Sequence, residues 1–139
     1  MKPLIPTQRR FLIVDDDERF ALLVAKRLEN TAQCVVVLSG EDALLQFEYH
    51  LREKAPFSVV FMDIGMPEMD GHAVVERMRE IERRQDVSPV NSFKLIMLTS
   101  HKDISNVSKA FFHNDADAYI HKAEINTKLH EELRNLDLI

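Results

Sequence analysis

FLIVDDDERF, residues 11–20, runs four apolar residues straight into three consecutive aspartates. Phe11–Val14 does not alternate with polar residues, so it reads as a strand covered on both faces, the habit of a parallel sheet. A buried core has no use for the acids that follow. Two bare carboxylates ~4 Å apart repel by about 4 kcal/mol at an effective dielectric of 20. Asp15, Asp16 and Asp17 at the end of a buried strand therefore point to a cation that reverses the sign.

The same kind of run recurs along the chain. CVVVL (34–38), FSVVFM (57–62) and KLIML (94–98) are short, apolar and rich in β-branched residues, and AYIH (118–121) is a weaker edge-strand candidate. Helical spacing of i, i+3/i+4 falls between and after them. The predicted faces are Phe20/Leu23/Val24/Leu28, Leu44/Phe47/Leu51, Val74/Met78/Ile81, Ile104/Val107/Phe111 and Ile125/Leu129/Leu133/Leu136. A βα unit repeated five times predicts an α/β fold, a doubly wound five-stranded parallel sheet with helices on both faces. The polar stretch RRQDVSPVNS (83–92) reads as a surface excursion, not a boundary, and 139 residues suit one domain, 1–139.

Composition narrows the function. A formal net charge of −5 disfavours a broad nucleic-acid-binding face, and no apolar run approaches the ~20 residues of a membrane span. The sole cysteine, Cys34, excludes an internal disulfide and reads as a small core residue. MKPLIPTQRR at the N-terminus lacks the apolar stretch of a signal peptide, so a cytoplasmic protein is expected. Among only three glycines there is no phosphate-binding GxGxxG or P-loop.

Open parallel sheets bind ligands beyond the carboxyl ends of their strands. The first strand ends in Asp15-Asp16-Asp17, the third in Asp63, the fourth in Thr99-Ser100 and the fifth in His121-Lys122. Adjacent strands lie about 4.8 Å apart, so acids ending neighbouring strands can share one ion. Oxygen-only ligands favour Mg²⁺ over zinc. After Asp63 comes IGMPEMDG (64–71), a tightly turned loop in which Asp70 can cap the next helix and the Gly65 carbonyl can join the metal shell.

VDDDE, FMDIGMPEMDG, LIMLTS and YIHK, in this order, resemble the four signatures of two-component response-regulator receiver domains. The resemblance covers about residues 10–136. It implies a flavodoxin-like strand order, 2-1-3-4-5. It also implies that Asp63 is the phospho-acceptor, with Asp16 the direct Mg²⁺ ligand, Asp15 a ligand acting mainly through water, and Gly65 giving its carbonyl oxygen. Lys122 corresponds to the lysine, and Thr99 to the hydroxyl, that contact phosphoryl oxygens. Tyr119 corresponds to the switch aromatic that follows Thr99. The chain is then a signalling switch, an enzyme only toward its own phosphorylation and dephosphorylation. The implied donor partner is a sensor histidine kinase or a histidine phosphotransfer protein. A downstream effector would dock on the face of the fourth helix, fifth strand and fifth helix, and a phosphorylation-linked dimer is allowed.

Two departures bear on the site. Ala123 stands where family members usually have proline after a cis bond, which costs about 3 kcal/mol without proline. The turn after the fourth helix reads Asn114-Asp115 where glycine is common, and both residues tolerate the left-handed conformation. Asp17 and Glu18 read as an acidic helix start, and His101 as a surface histidine. Two rival readings remain. An aspartyl phosphatase of the haloacid-dehalogenase type has a DxD motif like Asp15–Asp17, but Arg19 stands where its threonine belongs. A phosphate-independent adaptor would have no need of Asp63, Thr99 and Lys122 together.

Overall fold

The computed structural model describes residues 9–66, 70–100 and 116–139. The strands are β1 (Arg10–Val14), β2 (Gln33–Val37), β3 (Val59–Asp63), β4 (Lys94–Thr99) and β5 (Ala118–His121), and the helices are α1 (Glu18–Arg27), α2 (Gly40–Arg52), α3 (Gly71–Arg84) and a C-terminal helix (Ile125–Asn135). The sheet is parallel throughout, in the order β2-β1-β3-β4-β5. The expected doubly wound, flavodoxin-like α/β architecture is therefore present.

The apolar runs are continuous because both faces of the central strands are covered. β1 from Phe11, all of β3, and β4 from Leu95 are buried residue by residue. Successive side chains point to opposite faces. Leu12, Val14, Val60, Met62, Leu95 and Met97 pack on one side against Ala43 and Phe47 of α2 and Val74, Val75 and Met78 of α3. Phe11, Ile13, Phe61, Ile96 and Leu98 pack on the other against Val24 and Leu28 and against Ile125, Leu129 and Leu133. β2 and β5 are edges and are only partly covered, which explains the weakness of AYIH as a signal.

Three details differ from expectation. α1 turns Ala21 and Val24 inward and leaves Leu23 39% exposed, so its core face is rotated from the one predicted. Small Ala21 lets the helix approach the sheet, a preference that counting large apolar residues overlooks. Leu38, read as strand, lies past the end of β2 and is 39% exposed. The excursion at 83–92 is tied down: α3 continues to Arg84, Pro89–Asn91 forms a 3-10 turn, and the buried Glu82 accepts hydrogen bonds from Ser92 Oγ at 2.6 Å and Phe93 N at 3.1 Å. The fourth helical pattern (Ile104, Val107, Phe111), His101 and the Asn114-Asp115 turn lie outside the described residues.

Candidate functional site

Parallel register brings the strand ends to one rim. Val14 of β1 pairs with Val37 and Met62, Asp63 of β3 pairs with Leu98, and Thr99 of β4 pairs with His121. The residue after Val14 is Asp15, which falls beside Asp63, and the one after His121 is Lys122, one strand further along the rim, whose long side chain reaches back toward Asp63. One carboxylate oxygen from each of Asp15, Asp16 and Asp63 lies within 4.8 Å of the others.

Local hydrogen bonds orient this cluster. Asp15 is fully buried; its Oδ1 accepts from the Asp17 backbone N–H at 2.9 Å, which folds the acidic run back on itself. Asp17 then caps α1, accepting from Phe20 N at 3.3 Å, and Asp16 stays exposed. Asp63 is 3% exposed, and its Oδ1 accepts from Gly65 N at 3.1 Å. Asp70 caps α3 by accepting from His72 N at 2.9 Å. Gly71 is required by close approach: a Cβ there would lie 2.5 Å from the Asp63 carbonyl oxygen.

Lys122 answers the negative charge. Its Nζ is 2.7 Å from Asp15 Oδ2 and 3.5 Å from Asp63 Oδ2, with the side chain 19% exposed. The ring centroid of Phe20, on the first turn of α1, is 4.9 Å from the same ammonium. No cis peptide occurs among the described residues. The Lys122–Ala123 bond is therefore trans, and the chain turns there through a 3-10 segment, Lys122–Glu124, whose Ala123 N–H donates to His121 Nδ1 at 3.1 Å.

Burial pushes the Asp63 carboxyl up to about 7, the Asp15 charge adds to this, and the Lys122 ammonium and the Gly65 N–H only partly oppose it. For Lys122, burial alone would lower the pKa; the hydrogen bond to Asp15 and the charges of Asp63 and Asp15 outweigh burial and raise it. One ammonium thus faces two buried carboxylates, with Asp16 at their side. The donor set is hard oxygen and over-negative, and it fits a hard divalent cation.

Thr99 ends β4 and is buried at 6% exposure. Tyr119 is half-buried on β5 and packs against the core layer beneath α2 and α3. Cys34 is half-buried at the β2 edge, and burial raises its thiol to about 11, the setting of an inert residue. Two residues of local importance lacked a sequence signal. Phe20 read only as part of a helix face, and nothing in the sequence marked Glu82.

A five-stranded flavodoxin-like sheet with an acid–ammonium cluster at its carboxyl rim defines an α/β module built around a small charged site. The chain belongs to the response regulator receiver domain family, whose model matches residues 11–134. Receiver domains are signalling switches of two-component systems, and the Asp15/Asp16/Asp63 pocket fits a phospho-accepting site.

Relatives fall in two groups. The sensor protein GacS of Pseudomonas syringae pv. syringae is 32% identical over 122 residues, covering 86% of this chain but only 12% of that protein. The response regulator receiver protein CpdR of Brucella abortus is 29% identical over 102 residues, 73% of this chain and 81% of CpdR. Among solved structures, the receiver domain of the Arabidopsis thaliana histidine kinase CKI1 with Mg²⁺ and BeF₃⁻ superposes with a TM-score of 0.78 at 22% identity, covering 95% of this chain and 91% of that one. The response regulator TrrA of Thermotoga maritima, in complex with Mg²⁺-BeF, gives 0.65 at 27% identity, with 92% and 98% covered. Among the described residues no helix is long and apolar enough to cross a membrane.

Proposed function

We propose that this receiver domain accepts a phosphoryl group on Asp63 from a phosphohistidine of a sensor histidine kinase or histidine phosphotransfer protein. The observation that carries the reading is the meeting of Asp63 with two further carboxylates within 4.8 Å and with Lys122 Nζ at 3.5 Å. CKI1 and TrrA, crystallised with Mg²⁺ and a beryllofluoride, are related proteins whose sites take such a pair.

The step is a single displacement. An Asp63 carboxylate oxygen attacks phosphorus, a P–O bond forms, and the P–N bond to the donor imidazole breaks. Its electron pair stays on the ring nitrogen, and the imidazole leaves neutral, keeping the proton on its other nitrogen. Such transfer depends on positioning and on neutralising charge on the phosphoryl oxygens. Asp15, Asp16, Asp63 and the Gly65 carbonyl would hold Mg²⁺, which when bound supplies that neutralisation. Lys122 pairs with one phosphoryl oxygen and the Thr99 hydroxyl donates to another. Attack requires the ionised form of Asp63, which a cation held beside the buried carboxylates would favour.

Thr99, drawn toward the new oxygens, leaves space that Tyr119 enters, so a local charge event biases the face that the resemblance assigns to the fourth helical pattern, β5 and the C-terminal helix. An effector, or a second phosphorylated copy, would read that face. The unit acts as one domain, 1–139, with its core at about 10–136, and the cytoplasm is its expected compartment. The test is intact mass after incubation with Mg²⁺ and acetyl phosphate. Wild type should gain one phosphoryl group and Asp63→Asn none; equal labelling of the two would remove Asp63 from the reaction.

A further inference from the structure

We infer that Phe20 is a positioning residue for Lys122: its ring face holds the ammonium beside Asp63 while the lysine's anionic partners change. This rests on the reading of Asp63 as phospho-acceptor.

Among the described residues Lys122 Nζ has three charged or aromatic neighbours: Asp15 Oδ2 at 2.7 Å, Asp63 Oδ2 at 3.5 Å and the Phe20 ring at 4.9 Å. The shortest contact is to Asp15, not to the acceptor. Any cation that engages Asp15 competes with Lys122 for that carboxylate, and modification of Asp63 removes the second contact in its present form. Of these three, the ring is the neighbour whose attraction survives both events. It attracts through its quadrupole, is neutral, and offers no oxygen to a metal.

Backbone constraints on Lys122 are light. The residue opens a three-residue 3-10 turn after a four-residue edge strand, and the following residue, Ala123, is exposed. The long, flexible lysine stem therefore takes its direction from what surrounds its head group. Phe20 is well placed to direct it. Its backbone N–H is held by the Asp17 cap, and its half-buried ring packs against the core layer under α1. The Asp17 N–H in turn donates to Asp15 Oδ1. One turn of α1 thereby orients Asp15 through its backbone and Lys122 through an aromatic face.

The test is a double-mutant cycle on the Mg²⁺-dependent rate of phosphorylation by acetyl phosphate, followed by intact mass, with Phe20→Leu, Phe20→Trp, Lys122→Ala and the Phe20→Leu/Lys122→Ala pair. Phe20→Leu keeps an apolar side chain and should slow labelling about fivefold, the effect of losing one partly desolvated cation–π contact. Phe20→Trp should restore at least the wild-type rate. In the Lys122→Ala background Phe20→Leu should change the rate less than twofold. As a readout independent of activity, the ε-methylene protons of Lys122 should lose their ring-current upfield shift in Phe20→Leu, measured by NMR without Mg²⁺. An unchanged rate and shift in Phe20→Leu, or an equal slowing in the Lys122→Ala background, would overturn the inference. Labelling that persists in Asp63→Asn would instead overturn the underlying reading, whatever Phe20 does.

Discussion

Replacing Asp63 by asparagine should stabilise the metal-free protein, and only above acidic pH. Burial and the Asp15 charge hold the Asp63 carboxyl at about 7 against an ordinary value of 3.8. The folded state therefore binds this proton more tightly than the unfolded state does. The contribution of this group to stability is greatest below about pH 4 and falls as pH rises toward 7, because the folded chain must then accept a buried charge that the unfolded chain carries freely in water. The rise from 3.8 to about 7 bounds the cost of the ionised group at about 4 kcal/mol. Asparagine has nearly the same shape, keeps an oxygen for the Gly65 N–H, and carries no charge. At pH 8 in EDTA the variant should be about 2–4 kcal/mol more stable, a rise in Tm of roughly 5–10 °C for a domain of this size. At pH 4 the difference should largely vanish. Thermal unfolding followed by circular dichroism at both pH values measures it. A Tm difference that is the same at pH 4 and pH 8, or a variant less stable at pH 8, would refute the electrostatic account. Added Mg²⁺ should raise the wild-type Tm at pH 8 and narrow the gap.

Glu82→Ala should lower stability by about 2–3 kcal/mol, seen as a lower urea midpoint. It strands the buried Phe93 N–H and removes the carboxylate that Arg79 meets at 3.1 Å beside its stack on the Phe93 ring. Gly71→Ala should cost about 1–3 kcal/mol in the same assay and slow phosphorylation as well, since its Cβ would press on the backbone of Asp63. Normal stability and labelling in Gly71→Ala would show that the β3–α3 junction yields easily.

Much of this molecule is legible in the chain because the relevant interactions are local or periodic. Unbroken runs such as FLIV and VVFM, too short for helices, read as strands covered on two faces, and four of them with the weaker AYIH, separated by helical spacing, leave few topologies. Polar and charged residues at the ends of such runs must then collect at the carboxyl rim, so Asp15, Asp63, Thr99 and Lys122 could be grouped without coordinates. The Asp70 cap also follows locally, since its carboxylate accepts from the His72 backbone N–H two residues on.

Packing between distant segments decided the rest. Periodicity marks a helix face only broadly, so the rotation of α1 that exposes Leu23 and buries Ala21 depends on the sheet it meets. The burial of Glu82 depends on Ser92 and Phe93 arriving beside α3. The nearer approach of Lys122 to Asp15 than to Asp63, and its seat on the Phe20 ring, arise because parallel register sets β5 and the first turn of α1 at the same rim. Sequence names the groups that must gather there; which of them touch is a matter of ångströms, and these are fixed only when both layers close on the sheet.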